Sequence, residues 1–549
     1  MFIRAFFCSE GKKRGRIILM LARGQWFLLP EDSFIKDDTP MNILHEQLKL
    51  DTPLLKIVGN VDYDRHLAEL AMMSEIISDA GIDKEVALFL IERAQQRCDA
   101  SRARKGLSPT ALSDRITLRI YQDGRTLFRA ALLRKFSGES LRVFCCSVAE
   151  SPSRQQFCLI NRFVEAKIFS KSSLCDFEND LPADYLKKIH GKILIAACGK
   201  LAPGAEVNQL GFSTPISIGE CYADTTCVQA NIHYPVDWML LRDATRTMML
   251  ACDLIRNAGL RHRMPCEPKE FISKINSLCM QMAQCRRKKD SKKKRKNILR
   301  LMKKLLKKIA CHAERHAKLL EDYWAETIYS ELEAKAIIDR IQNILRQLPA
   351  AIFQAHERII GERRIPNGQK ILSLYEDELH VIVRGKAGSE TEFGNTLMLV
   401  EQADGLIVDF KLCREQSPGD PTLLAHSIDY IESTMPDKIK AIATDRGFDS
   451  PNIRQLLDAK NIFNAVCPRS IPAYIEKSKN PQFRRHQKRR AQTEGRIAIV
   501  NGFSGNPQLQ KSFVHREIHL ALSVLSHNIR KLAKLRLAQQ TTPLAAVAA

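Results

Sequence analysis

Three carboxylates stand where short apolar segments end or where a helix carries many arginines, and each could be held rigidly enough to do chemistry. Asp224 follows the strand-like run Ile216 to Ala223, Asp445 ends the apolar run Ile439 to Thr444, and Glu494 lies inside the arginine-rich helical segment Arg489 to Arg496. Hard divalent cations prefer carboxylate oxygens. Two such ions roughly 3.5–4 Å apart can activate a nucleophile and stabilise the leaving oxygen of a phosphodiester. Taken singly, each acid reads more simply as a strand or helix cap. Other acids of the same region, Asp237, Glu376, Asp377, Asp409 and Asp420, rank below these three.

Soft-metal and disulfide chemistry are less well supported. The 16 cysteines are scattered without a C-x-x-C pair, and several sit in apolar runs (Cys145, Cys146, Cys198, Cys413), as small buried hydrophobes do in a reducing compartment. Cys311, His312 and His316 fall together on a helical stretch and could be offered as a zinc site. Without a second paired cluster, the plain helix-face reading is preferred. No P-loop occurs, and nothing marks a nicotinamide or flavin site.

The elements that must position the acids follow from periodicity. Residues 62–99 have helical spacing broken at Gly81, and a second helical stretch runs from Gly124 to Phe163 with a break near Pro152. Ile193 to Ala197 and Ile216 to Ile218 read as strands. Trp238 to Gln354 is helical almost throughout and holds the cationic runs Arg286 to Lys289 and Lys292 to Lys296, continued by Lys303, Lys304, Lys307 and Lys308 on one amphipathic helix. Strands resume with Ile371 to Val383 and Thr396 to Val400. A hairpin turn at Asp404-Gly405 leads into Leu406 to Phe410. Helix and strand then alternate over Pro421–Thr434, Ile439–Thr444, Ser450–Lys460 and Ile462–Val466, and the chain closes with helices from Gln487 and from His515 to Gln539.

The residues around the acids resemble the catalytic blocks of bacterial insertion-sequence transposases of the DDE type. The block Asp224-Thr225-Thr226-Cys227-Val228-Gln229-Ala230-Asn231-Ile232-His233-Tyr234-Pro235-Val236-Asp237 is similar to their first-aspartate block. Thr444-Asp445-Arg446-Gly447-Phe448-Asp449-Ser450 is similar to the second, and Arg490 to Glu494 to the arginine–glutamate signature around the third acid. Arg384 to Gly388 and Glu392 to Asn395 resemble a block of the same branch. The likeness covers about residues 215–535, and it is looser through Leu141 to Phe144 and the Pro152 neighbourhood.

The resemblance implies an α/β fold with a ribonuclease-H-like mixed sheet flanked by helices. Three antiparallel strands continue into an alternating helix–strand part, interrupted by a long helical insertion and preceded by a helical N-terminal region. The expected divisions are a poorly structured leader (1–55), a helical DNA-binding region (56–190), a catalytic domain (191–540) with its insertion at about 238–365, and a tail (541–549). The resemblance also implies that Asp224, Asp445 and Glu494 are catalytic and ligate two Mg2+ or Mn2+ ions. The implied partners are double-stranded DNA, as inverted-repeat ends and as target, and a second copy of the chain when two ends are held. In a related branch a lysine follows the third acid by seven positions; here that place is Asn501, so no lysine role is carried over.

Phosphodiester oxygens repel a nucleophile, and nearby cations relieve that repulsion. Arg446, Arg490, Lys488, Arg489, Arg384, Lys386, Lys292, Lys293, Lys294 and Arg295 are the expected DNA contacts, with Arg490 favoured over Arg496 because it shares a helical face with Glu494. Thr225, His233 and Asp237 are expected to support the first acid or its loop, Asp237 either there or against a basic residue, and Tyr234 to pack.

Composition agrees with a polyanion partner. The 549 residues carry 85 Lys+Arg against 62 Asp+Glu, a formal charge of +23, with 45% hydrophobic and 27% charged residues, which is globular usage. No run is long and apolar enough to span a bilayer, and Met1 to Pro30, interrupted by Gly11 to Arg16, lacks a signal-peptide core, so a cytoplasmic protein is expected. Two alternatives to a transposase remain, a stand-alone nuclease on the same fold and a non-catalytic DNA-binding derivative.

Overall fold

Strand β4 (Glu220–Gln229) is the axis about which the chain is organised, because it pairs antiparallel with β6 (Ser389–Gln402) on one side and parallel with β8 (Ala441–Ala443) on the other. Strand β5 (His380–Lys386) and β7 (Ile407–Leu412) pair successively with the far edge of β6, and β9 (Phe463–Asn464) runs parallel to β8. The result is one mixed sheet of six strands in a protein that is otherwise mostly helical. The register of β4 on β6 is fixed at Gly394, where a Cβ would stand 2.1 Å from the Val228 carbonyl oxygen. The turn between β6 and β7 uses Gly405 at φ 91°, a left-handed conformation glycine adopts without strain. This computed structural model describes residues 5–7, 17–20, 26–28, 59–160, 166–285, 290–386, 389–502 and 510–547.

Among the described residues seven helices precede the sheet: α1 (Val61–Asp79), α2 (Ile82–Arg104), α3 (Asp114–Ser137), α4 (Leu141–Glu150), α5 (Pro152–Phe157), α6 (Lys171–Asp180) and α7 (Ala183–Cys198). Gly81 separates the first two, at φ 64°. Their apolar faces, the sheet and the closing helix α16 (Phe513–Val547) share one hydrophobic core running from Leu70 through Leu399 to Ala533. The expected boundary near residue 191 therefore does not separate two cores, and it falls inside α7. Ile193 to Ala197, expected as a strand, belongs to that helix. Most of its residues are buried against neighbouring elements, so an unbroken apolar run carries no alternation with which to tell a strand from a covered helix. Ile216 to Ile218 likewise lies before β4, and of Ile371 to Val383 only the last residues are in β5. Several cations of the N-terminal half are internal: Arg129 is fully buried against Asp83 at 2.8 Å, and Arg134 and Lys135 are buried beside Glu178.

The long insertion after β4 is a four-helix bundle of α8 (Asp237–Asn257), α9 (Pro268–Gln284), α10 (Ser291–Tyr323) and α11 (Glu331–Ile359), with its own core of residues such as Leu241, Met248, Ile275, Leu306 and Ile341. After β7, α12 (Asp420–Thr434) leads to β8, α13 (Pro451–Ala459) to β9, and α14 (Ile471–Ser478) to α15 (Pro481–Gly502), which begins six residues before the expected Gln487. Most of the segment 1–55 lies outside the described residues. Within it β1 (Ala5–Phe7), β2 (Ile17–Met20) and β3 (Trp26–Leu28) form a small antiparallel sheet where no regular structure was expected. The expected tail continues α16 to Val547. No helix among the described residues is long and apolar enough to cross a membrane, and the described cysteines are free, with Cys146 exposed and Cys145 half-buried rather than in the core.

Two core histidines make the fold acid-sensitive. Nε2 of His190 meets the Ile407 carbonyl at 2.8 Å and Nε2 of His527 that of Gly405 at 2.9 Å. Burial pushes both imidazoles down to about 4. With the unfolded value near 6.5, the unfolded chain binds the extra protons, so stability is complete above pH 6.5 and falls as the pH drops toward 4. Each group should remove about 3 kcal/mol across that window. Urea midpoints measured between pH 7 and pH 4 should fall steeply, and His527→Gln should flatten the curve.

Candidate active site

Asp224 and Asp445 are brought together by strand register. Tyr222 of β4 lies level with Ala443, the last residue of β8, and Asp224 and Asp445 each follow two residues further along, Asp445 just beyond its strand. Side chains two apart share a face. Tyr222 and Ala443 pack against Phe483 of α15, so both aspartates project to the side that α15 covers. Asp224 lies within β4, not after it, and Asp445 caps a single 3-10 turn, accepting from the Gly447 amide at 2.8 Å.

Helix α15 is fastened across this face. Gln487 Nε2 donates to the carbonyls of Thr444 at 3.0 Å and Ala465 at 2.6 Å, the chain ends of β8 and β9. Tyr222 Oη and His486 Nδ1 are 3.0 Å apart. The fully buried Glu401 takes Arg489 Nη1 at 2.8 Å, Thr493 Oγ1 at 2.9 Å and Arg496 Nε at 3.0 Å. Arg490 and Glu494, one turn apart, stay on the face toward the aspartates. The coupling is visible in the charge of Asp224. Burial, then the Asp445 carboxylate, push its carboxyl up to about 6; the Thr225 amide at 2.8 Å and Arg490 pull it back, and Glu494 adds a smaller push. Glu494 itself is exposed. Among the described residues no three His, Cys, Asp or Glu side chains close on a single point.

A fourth carboxylate borders the aspartates. Asp420, the first residue of α12, accepts from Thr225 Oγ1 at 3.1 Å. A Cβ on Gly447 would stand 3.0 Å from both Asp420 Oδ2 and Asp445 Oδ1. Glycine at 447 thus leaves a small all-oxygen cradle between two acids, and that donor set fits Mg2+ or Mn2+. Sequence ranking placed Asp420 below the main three; its place opening a helix before Pro421 gave no sign that α12 points at β4. Arg469, also missed, donates to the Arg446 and Gly447 carbonyls at 3.2 and 3.0 Å, and Asp449 holds Arg454 at 2.8 Å, so the loop after Asp445 is braced from two sides.

Several expected site residues are engaged elsewhere. Arg489 is a structural partner of Glu401 and lies 4.7 Å from the Tyr222 ring centroid, and Arg496 pairs with the same carboxylate. Asp237 supports the bundle, not Asp224: it accepts from Gln354 at 3.0 Å and Arg358 at 2.8 Å. His233 is bound to Asp243 at 2.7 Å; burial opposes its charge, but that carboxylate raises its pKa. Tyr234, expected to pack, is exposed, touching Phe393 edge-on. Lys292 shares Glu362 with Lys296 at 3.0 and 2.9 Å, and Arg295 lies over the Trp238 ring. Glu376, Asp377 and Asp409 are paired with Arg516, Arg346 and Lys187. Arg446, Lys488, Lys293 and Lys294 are exposed. Arg384 and Lys386 lie on β5, with side chains outside the described residues; the run Arg286 to Lys289 lies outside the described residues altogether.

The raised carboxyl of Asp224 sets a pH dependence. Its charged form, the one able to hold a cation, predominates above about 6. Mn2+ affinity measured by titration should therefore fall roughly tenfold per pH unit below that value, and Asp224→Asn should remove the dependence. No protein-family model matches this chain, and no curated protein or solved structure matches it.

Proposed function

We propose that this protein is a metal-dependent DNA transposase whose sheet is ribonuclease-H-like. The observation that carries the reading is the proximity of Asp224, within β4, to Asp445, two residues beyond the end of the neighbouring parallel strand β8, with Glu494 of α15 near enough to act on the Asp224 carboxyl. The strand order β7-β6-β4-β8-β9, antiparallel through the first three and parallel through the last two, supports the fold assignment.

Asp224 and Asp445, with Glu494, would hold Mg2+ or Mn2+, and the bound ions would supply charge screening and an activated oxygen nucleophile for in-line attack on a phosphodiester. The protein's own residues do the positioning. Thr225 fixes Asp224 through its amide and Asp420 through its hydroxyl. Arg490, on the Asp224 side of α15, and exposed Arg446 offer guanidinium groups to phosphate oxygens.

The bundle supplies a second surface for DNA, since Lys293, Lys294, Lys304, Lys307 and Lys308 are exposed on α10. Replacing Lys293, Lys294, Lys307 and Lys308 by Gln should weaken duplex binding and lower the slope of log K against log salt by about 0.9 for each phosphate no longer neutralised. Fluorescence anisotropy between 50 and 200 mM salt reads both (roughly the range where such losses are large). Incubating the full chain with Mg2+ and a plasmid carrying its coding region and flanks tests the activity itself: joined strand-transfer products support a transposase, nicks alone a nuclease, and binding without either a non-catalytic derivative.

A further inference from the structure

The connection between α8 and α9 carries His262 against α10. Its ring centroid lies 5.9 Å from that of His312 and 5.8 Å from that of His316, and the latter two are one helical turn apart. His316 is fully buried. Its Nδ1 is 2.7 Å from the His312 carbonyl oxygen, so Nδ1 carries the proton and donates, and Nε2 is left with a bare lone pair. That Nε2 is buried without a hydrogen-bond partner, and so is Nδ1 of His312. Buried polar nitrogens are rarely left so, because each forfeits its hydration. A ring nitrogen donating to a backbone carbonyl while the other faces a pocket is the arrangement that orients metal-ligating histidines.

We infer that His262, His312 and His316 bind one Zn2+-class transition-metal ion, which pins the α8–α9 connection onto α10. Three imidazoles suit Zn2+ and its neighbours and do not suit Mg2+, so this site is chemically separate from the carboxylates and stands or falls apart from the transposase reading. As the side chains stand, no three metal-binding groups converge. Nε2 of His262 accepts from Arg315 Nη1 at 3.2 Å, and closing the set takes a turn of that ring away from the exposed Arg315. The other nearby cation, Arg256, is paired with Glu267 at 2.8 Å. Cys311 is about 100° round the helix from His312, and its place in the set is taken by His262, a single residue fifty positions before His312.

The test is metal analysis of the full-length protein after exhaustive dialysis, with Co2+ substitution as a spectroscopic probe. Wild type should retain about one Zn2+ per chain, show visible bands of four-coordinate Co2+, and gain thermal stability on adding Zn2+ but not Mg2+. His312→Asn and His262→Asn should each weaken binding about tenfold or more. His262 lies on a connection outside the core, so its variant should fold even where a His316 variant does not. Wild type without stoichiometric Zn2+, Zn2+ displaced by Mg2+, or a His262→Asn protein with unchanged Zn2+ content and Co2+ spectrum would each overturn the proposal.

Discussion

Asp445→Asn should abolish Mg2+-dependent strand cleavage while leaving duplex binding within about twofold. The substitution preserves shape and can keep the contact to the Gly447 amide, which stands at 2.8 Å in the native loop. It removes one charge from the pair of acids, Asp445 and Asp224, whose carboxylates act on each other. Loss of a rigid group that acts at the transition state commonly lowers rates by about 10³-fold or more, equivalent to roughly 4 kcal/mol. Binding should hardly change, because it draws on exposed cations such as Arg446, Lys293 and Lys294. Asp224→Asn should behave alike. Cleavage assays and anisotropy on the same preparations check this, and an Asp445→Asn protein as active as wild type would remove Asp445 from the site.

The second large effect is expected at Glu401, which touches none of the reacting groups. It is fully buried on β6, and its two oxygens receive Arg489, Thr493 and Arg496 from α15. Glu401→Ala takes the carboxylate away from two largely buried guanidinium groups, of which Arg489 keeps the Ala403 and Gln402 carbonyls, and breaking a buried ion pair costs about 3–5 kcal/mol. Thermal unfolding should shift down, by less per kcal/mol than the about 2–4 °C typical of a 150–250-residue domain. Cleavage should fall even at temperatures where the protein stays folded, since α15 positions Arg490 and Glu494. Glu401→Gln, which keeps volume and some hydrogen bonding, should fall between. An unchanged melting temperature in the alanine variant would show that α15 is fastened by other contacts.

Local pattern carried the reading of much of the sheet, and the reason is physical. Asp404-Gly405 marks a turn because glycine alone takes φ 91° without strain, so the hairpin from Thr396 to Phe410 was legible. The alternation from α12 to β9 was legible because each helix opens with a proline early in its first turn and each strand is a short apolar run. Ile193 to Ala197 was not, since five apolar residues in a row fit strand and helix alike, and the helical period appears only in the wider spacing of the exposed Asp184, Lys188, Lys192 and Ile195. Among the site residues, Asp224, Asp445, Arg490 and Thr225 lie near one another, a grouping that the resemblance implied and spacing alone did not, while Glu494 is exposed beside them. Arg489 and Asp237 do not, because their partners, Glu401 and Arg358, lie 88 and 121 positions away, and spacing along one helix cannot reveal a buried acid beneath it. Asp420 reached the site by the same route, through the packing of α12 rather than through any local word.

Electron paramagnetic resonance of Mn2+ bound to the full chain with duplex DNA tests the central claim most directly, because two ions about 3.5–4 Å apart give a spin-coupled signal that isolated ions do not. The account predicts that signal in the wild-type protein and its loss in Asp224→Asn, Asp445→Asn and Glu494→Gln alike. Coupled ions that persist in all three variants, or only isolated Mn2+ in the wild type, would contradict it.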